Sequence, residues 1–201
     1  MNKTRQLLTN PFVTIAGAKA LIYGLAALVL TSITGYFWQT RFDGVLDIHF
    51  GIQHPYHIYL FDLVISYVTL ALVLYLAGLI FSRSGIRMID VAGTVALARA
   101  PLLLAPLANT FSHSEAMSEY MSGMFAGDEI APPEFWQSAL FGLSTLIIIA
   151  LTIYVIILSY RAFSISVNLK GNRAVLIFIM GILVSEVVSK ILIHNFIHTI
   201  F

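Results

Sequence analysis

The chain contains no cysteine and few charged residues. Without cysteine it can form neither disulfide bonds nor thiolate metal ligands. Charged residues are 10% of its 201 positions and hydrophobic residues are 59%, whereas soluble domains carry about 25% charged residues. So few charged residues cannot provide the polar surface that a water-soluble fold needs. The mean hydropathy of +0.89 supports the same conclusion. The composition therefore predicts an all-α integral membrane protein.

Signatures of several other functions are missing as well. The sequence has no G-x-S-x-G segment, no Gly-Lys phosphate loop and no H-E-x-x-H pair, so hydrolases and nucleotide-binding proteins have no motif support. It has no internal repeat, which weakens the case for a secondary transporter. The formal net charge of +1 offers no basic face to a nucleic acid. We therefore expect a non-enzymatic protein before an enzyme.

Five apolar stretches are long enough to cross a bilayer, which requires about 20 helical residues. These stretches are residues 20–37, 58–81, 88–108, 135–160 and 173–197, and together they form one membrane domain over residues 1–201. The first stretch lacks a small-residue cleavage site and ends in the interfacial aromatics of GYFWQTRF, so it is an anchor and not a signal peptide. Before it, Asn10-Pro11 interrupts residues 7–18, which predicts a short interfacial N-terminal helix.

The charges are distributed unevenly between the two sides of this arrangement. One side collects the basic residues Lys3, Arg5, Lys19, Arg83, Arg87, Arg161, Lys170 and Arg173. The positive-inside rule makes that side cytoplasmic, so the N-terminus lies inside and the C-terminus outside. The expected location is the cell membrane, which is the inner membrane in a Gram-negative source. All six histidines then fall at or beyond the outer interface.

Two segments resemble the Yip family, Rab-interacting multi-pass membrane proteins with bacterial relatives. GIRMIDVAGTVALARAPLLLAPL is similar to its third span, and the sequence from Phe135 to Leu183 is similar to its fourth and fifth spans. The matching positions are Gly93, Pro101, Trp136, Gly142 and Gly171. The resemblance covers roughly residues 1–197 and implies five spans. Our leading hypothesis is a non-enzymatic scaffold of this type, which organises lipid, other membrane proteins or copies of itself. Because the first span begins near residue 20, the compact bacterial-type branch fits better than the Rab-binding relatives.

Two charges lie deep within apolar stretches. Arg99 falls near the bilayer centre, where a charge costs roughly 3 kcal/mol or more, and Glu186 lies at a comparable depth. We expect Arg99 and Glu186 to form an ion pair inside the bundle. The pair would fix helix register, or it would belong to a transport or proton route. Snorkelling of Arg99 to headgroups is the third possibility.

Two features frame the outer side of the third span. Pro101 and Pro106 each remove a backbone donor, which predicts a kink that packs the helices or widens a vestibule. In the following loop, methionines at helical spacing predict an amphipathic helix. A Cu(I) site formed by His113, Met117 and Met121 is the alternative.

The remaining histidines suggest a metal site. His194 and His198 are one helical turn apart, and the stretch DIHFGIQHPYH lies on the same side of the membrane. If these segments meet, His49, His57, His194 and His198 would bind zinc, with Asp47 and His54 as further candidates. The alternative function is then an outward-facing metal-binding protein, either a carrier or a metal-dependent enzyme. The competing interpretation is that these histidines are simply wetted at the interface.

Overall fold

The computed structural model describes residues 3–51, 53–112, 115–127 and 131–200, and most of them are helical. The helices are α1 (Lys3–Thr9), α2 (Gly17–Phe37), α3 (Tyr56–Phe81), α4 (Met88–Ala98), α5 (Ala105–Ser112), α6 (Glu115–Ala126), α7 (Phe135–Ser166) and α8 (Gly171–Ile200). Short 3₁₀ helices cover Pro11–Val13 and Ala100–Leu104. Two short strands, β1 (Thr40–Arg41) and β2 (His49–Phe50), pair antiparallel between α2 and α3.

Within the described residues, five helices are long and apolar enough to cross a membrane. They are Gly17–Phe37, Tyr56–Phe81, Met88–Asn109, Phe135–Ser166 and Gly171–Phe196. Each overlaps one of the five stretches expected from the sequence. The fourth helix continues to Ser166, six residues past the expected end at residue 160. The helix ends just before Asn168, whose φ of +52° is not helical.

The third span is interrupted in its middle, as its prolines predict. Helix α4 ends at Ala98, and the chain then tightens into a 3₁₀ helix before α5 continues. Here the backbone amide of Leu102 donates to the carbonyl of Arg99 over 3.0 Å. The acceptor is three residues before the donor, instead of four as in an α-helix. Pro101 has no amide hydrogen and so cannot make the regular bond. The interruption places Arg99 at the bend.

The third span is also the centre of the bundle. Its most apolar stretch is 61% buried, compared with 11% for α7. Helix α2 packs against α4 at two glycines: a Cβ on Gly24 would lie 2.4 Å from the Cβ of Ala96, and one on Gly93 would lie 2.6 Å from the carbonyl oxygen of Gly17. Small residues permit such close approach between membrane helices. Helix α8 packs mainly on α3 and also contacts α7, where the ring centres of Phe163 and Phe178 lie 5.9 Å apart.

The N-terminal segment lies against α7. Phe12 is buried beside Leu158 and Ala162, and the hydroxyl of Tyr154 donates to the carbonyl of Leu8 over 2.5 Å. Arg161 also donates to the carbonyl of Thr9. These contacts hold α1 on the bundle, while its position at a membrane interface remains a prediction.

The helix predicted after the third span is present as α6. Met117, Met121 and Met124 share one face of this helix, but only Met117 is buried, so the predicted apolar face packs only near its N-terminal end. His113, the nitrogen ligand of the alternative Cu(I) site, lies outside the described residues.

Candidate functional site

The segment between α2 and α3 turns back into the bundle. Strands β1 and β2 form its neck, and we call residues 42–48 between them the inserted loop. Phe42 and Val45 are 2% and 6% exposed and belong to the main core. Non-helical backbone in the apolar interior of a membrane protein needs internal partners for its polar groups. The inserted loop obtains these partners from charged side chains.

Arg99 is the first of these side chains. It is 1% exposed, and its guanidinium donates from Nη1 to the carbonyl oxygen of Val45 over 3.1 Å. From Nη2 it donates to the hydroxyl of Ser66 on α3 over 3.2 Å. The bend at Pro101 positions Arg99 where it can reach both groups. The cation in the middle of the third span therefore binds the tip of the inserted loop to α3.

Glu186 of α8 holds the next residue of the loop. Its Oε2 accepts a hydrogen bond from the amide of Leu46 over 2.8 Å, and its Oε1 lies 3.4 Å from Nζ of Lys190. A Cβ on Gly44 would lie 2.5 Å from this Oε1. A side chain at this position would therefore require the Glu186 carboxylate to shift.

The expected ion pair between Arg99 and Glu186 takes a different form. Among the residues that the structure describes, no direct contact within 4 Å joins the two charged groups. They hold neighbouring residues instead, since Arg99 binds the carbonyl of Val45 and Glu186 binds the amide of Leu46. Those two groups belong to the same peptide unit, whose dipole lies between the two charges.

A second acid, which is buried, fixes the neck of the loop. Asp62 on α3 is 1% exposed and accepts from Nε and Nη2 of Arg41, at 2.9 and 2.8 Å. Nη1 of Arg41 lies 3.2 Å from Nε2 of His54, which must be the acceptor because a guanidinium only donates. Burial, together with the charge of Arg41, lowers the pKa of His54 below its usual 6.5, so its ring is neutral at pH 7.

Polar side chains of the loop and of α8 line a cavity of about 380 Å³ beside these anchors. It is bounded by Arg41, Asp43, Asp47, His49, Lys190, Ile193 and His194. Nδ1 of His49 lies 2.7 Å from Asp43 and 3.9 Å from Asp47. Nζ of Lys190 lies 2.5 Å from the other oxygen of Asp47. We call this space the acidic-end cavity.

The charge of the acidic-end cavity is negative. Burial by itself raises the pKa of Asp47, but the hydrogen bond from Lys190 and the nearby His49 outweigh it and hold that pKa below 3.8. With Arg41 balanced by Asp62, and Glu186 facing Arg99 across the inserted loop, Asp43 and Asp47 against Lys190 leave a net charge of −1. Such a site attracts a divalent cation.

The structure brings together part of the predicted metal ligands. One ligand atom each from Asp43, Asp47 and His49 lies within 4.8 Å of the others, and His194 lines the same cavity. Asp43 was missed by the sequence reasoning, although it lies in the same loop, six residues before His49. Two carboxylates and imidazole suit zinc or manganese.

The other predicted ligands lie elsewhere. His54 is bonded to Arg41. His57 lies in the first turn of α3, with its ring 6.3 Å from that of Phe61, and it does not line the cavity. The side chain of His198 is outside the described part of the chain. The histidines that the sequence grouped as one site are therefore divided between the cavity and the helix start.

Comparisons with known proteins add no assignment. No family model, no curated protein and no solved structure matches this chain.

Proposed function

We propose that this chain is a non-enzymatic multi-pass membrane protein of the compact bacterial Yip type, acting as a scaffold for lipid and membrane-protein partners. The observation that supports this function is how the chain uses its buried charges. Arg99 and Glu186 hold the inserted loop, and Asp62 holds its neck through Arg41.

This use of charge separates a scaffold from a transporter or an enzyme. Ionisable groups inside a membrane protein usually mark an ion route or a reaction site, where they face water or substrate. In this chain the three deep charges contact backbone and side chains of the same molecule. They stabilise a shape, which is what a scaffold requires.

The outer surface of α7 supports partner binding through the spans. Only 11% of its most apolar stretch is buried, and Leu146 and Ile153 are 65% and 53% exposed. In this proposal the basic end of the bundle faces the cytoplasm, following the positive-inside rule, with the N-terminus in and the C-terminus out. Helix α1 then lies at the inner interface of the cell membrane.

The absence of natural cysteine allows a direct test of this proposal by cross-linking. Leu146→Cys and Ile153→Cys place thiols seven residues apart on one face of α7. A bismaleimide applied to intact membranes should join the protein through these positions to another copy or to a partner protein. The matched controls are Ile22→Cys and Val29→Cys, which are exposed on α2 with the same spacing. Equal cross-linking from both helices, or none from α7, would contradict the proposal.

The acidic-end cavity favours a second candidate, an outward-facing protein that binds zinc or another divalent ion as a carrier or a metal-dependent enzyme. The supporting observation is that Asp43, Asp47 and His49 come within 4.8 Å of one another, with His194 lining the same space. Lys190 would have to release Asp47 for the ion to bind.

Metal analysis tests this second candidate. Protein purified without chelator should contain about one equivalent of divalent metal, and His49→Ala combined with His194→Ala should remove it. His57→Ala is the control, because His57 does not line the cavity. A metal-free wild type that zinc does not stabilise against heat would leave the scaffold as the better account.

A further inference from the structure

An apolar groove opens between α3 and α8 at the basic end of the bundle, where α3 ends and α8 begins. Its volume is about 430 Å³. Its walls include Val73, Ala77 and Phe81 from α3, and Ile177, Gly181 and Val184 from α8. Eight residues separate the first and last of these on α3, so the groove is about 12 Å long at about 1.5 Å per residue. Every lining residue is apolar.

Two hydrogen bonds bring basic residues to the mouth of this groove. The hydroxyl of Ser82 donates to the carbonyl of Val167 over 2.7 Å, and the side-chain amide of Asn168 donates from Nδ2 to the hydroxyl of Ser84 over 3.0 Å. The loop after α3 and the loop before α8 are therefore joined. Arg83 lies in the first loop, Lys170 ends the second, and Arg173 follows in the first turn of α8.

Arg173 links the basic mouth to the apolar wall. The central carbon of its guanidinium lies 5.9 Å from the centre of the Phe81 ring, which lines the groove. Such stacking leaves the N–H donors at the edge of the guanidinium available for an anion.

These positive charges are not neutralised within the described chain. Arg83, Lys170 and Arg173 are exposed, and none of them makes an ion pair among the residues that the structure describes. Asp90, the acid closest in sequence to Arg83, is paired with Arg87 at 2.8 Å. An apolar groove with a positive mouth is complementary to a molecule with an apolar tail and an anionic head.

We propose that this groove binds one acyl chain of an anionic phospholipid, whose phosphate lies against Arg173, Lys170 and Arg83. Arginine binds phosphate oxygens with paired N–H donors, and basic pockets between membrane helices bind anionic headgroups. A zwitterionic lipid would place the same chain in the groove but would gain less from the mouth. The site depends only on α3, α8 and their loops, so it goes beyond the scaffold function and does not require a partner protein.

Lipid-dependent thermal unfolding and native mass spectrometry test the proposal on the full chain in mild detergent. Phosphatidylglycerol should raise the melting temperature more than phosphatidylcholine with the same acyl chains, and it should bind near one molecule per chain. Soluble glycerol phosphate should have no effect. Equal stabilisation by the two lipids would overturn the proposal, and stabilisation by glycerol phosphate would assign the mouth to a free phosphate instead.

Two variants separate the headgroup from the acyl chain. Lys170→Gln with Arg173→Gln should weaken phosphatidylglycerol binding about thirtyfold, since each basic residue near an anionic surface contributes roughly a factor of five. Its control, Arg5→Gln with Lys19→Gln, removes the same charge away from the groove.

Ala77→Leu should fill the groove and weaken the binding of both lipids, whereas Ala150→Leu on the exposed face of α7 should leave lipid binding unchanged. Unchanged lipid selectivity in the charge variant would refute the site.

Discussion

Replacing Arg99 should destabilise the protein more than replacing any single exposed charge. In Arg99→Met the apolar stem remains, but the carbonyl of Val45 and the hydroxyl of Ser66 lose their donor. Each hydrogen bond to a charged group contributes about 1.5–3 kcal/mol. Methionine carries no charge that must be removed from water, and this gain offsets part of the loss. The net loss in the free energy of unfolding is then about 3–5 kcal/mol, the usual range for breaking a buried charge network.

Thermal unfolding in detergent measures this effect. For a chain of this size, 3–5 kcal/mol corresponds to a fall of roughly 6–20 °C in melting temperature. Ser66→Ala, which removes one acceptor and leaves the loop carbonyl bonded, should cost about 1.5–3 kcal/mol, the contribution of one bond to a charged group. A fall no larger in Arg99→Met than in Ser66→Ala would refute the role of Arg99 as the anchor of the loop.

The coupling between Arg99 and Glu186 can be measured separately. Glu186→Gln keeps a side-chain acceptor for the amide of Leu46 but removes the negative charge that balances Arg99 across the shared peptide unit. Arg99→Gln combined with Glu186→Gln should therefore be less destabilised than the sum of the two single variants. Strictly additive losses would mean that the two charges do not interact through the inserted loop.

Three further outcomes follow from the structure. Gly44→Ala should cost about 1–3 kcal/mol in thermal unfolding, because its Cβ would lie 2.5 Å from Glu186 Oε1. The control Gly85→Ala should leave stability unchanged, because the space around Gly85 is open. Equal effects of the two substitutions would refute the close approach at Gly44. The pKa of His54 is lowered in the folded state, so its stabilising contribution is present above pH 6.5 and is lost as the pH falls through the folded pKa. Melting temperatures measured between pH 7.5 and about 5 should therefore decline less in His54→Gln than in wild type. Parallel curves would exclude this histidine as a cause. A reporter fused after Phe201 should report the outer compartment and one at Gly171 the cytoplasm, and finding both on one side would contradict the proposed topology.

The number and extent of the long helices could be predicted because they depend on runs of apolar residues. Bilayer thickness fixes the minimum length of such a run, so five spans follow from the sequence alone. The interruption at Pro101 could be predicted for a similar reason, since a missing amide hydrogen is a property of one residue type. Both predictions depend on local chemistry.

The partners of the buried charges could not be predicted in the same way. Arg99 and Glu186 were expected to need partners, and pairing them with each other was the simplest choice. Their actual partners include the carbonyl of Val45 and the amide of Leu46, and backbone groups carry no signal in the sequence. Asp62 was overlooked within an apolar stretch, although Arg41 on the same side of the membrane was available to pair with it.

The histidines illustrate the limit of topological reasoning. Expecting all of them at one end of the bundle allowed His49 and His194 to meet, and these two residues line one cavity. The same reasoning could not separate His49 from His57, because the difference depends on the strand pairing that sets His49 opposite Arg41, whereas His57 lies in the first turn of α3. The family resemblance remains a prediction, since no family model, curated protein or solved structure matches.

Thiol labelling tests most directly whether Arg99 holds the inserted loop inside the bundle. The protein has no natural cysteine, so Val45→Cys in the buried loop and Gln53→Cys on the exposed segment after it can each be followed alone. A membrane-impermeant maleimide should label Gln53→Cys at once and leave Val45→Cys protected. Adding Arg99→Gln should expose Val45→Cys to the reagent. If Val45→Cys reacts as fast as Gln53→Cys while Arg99 is intact, or stays protected after Arg99 is replaced, the loop is not held as described.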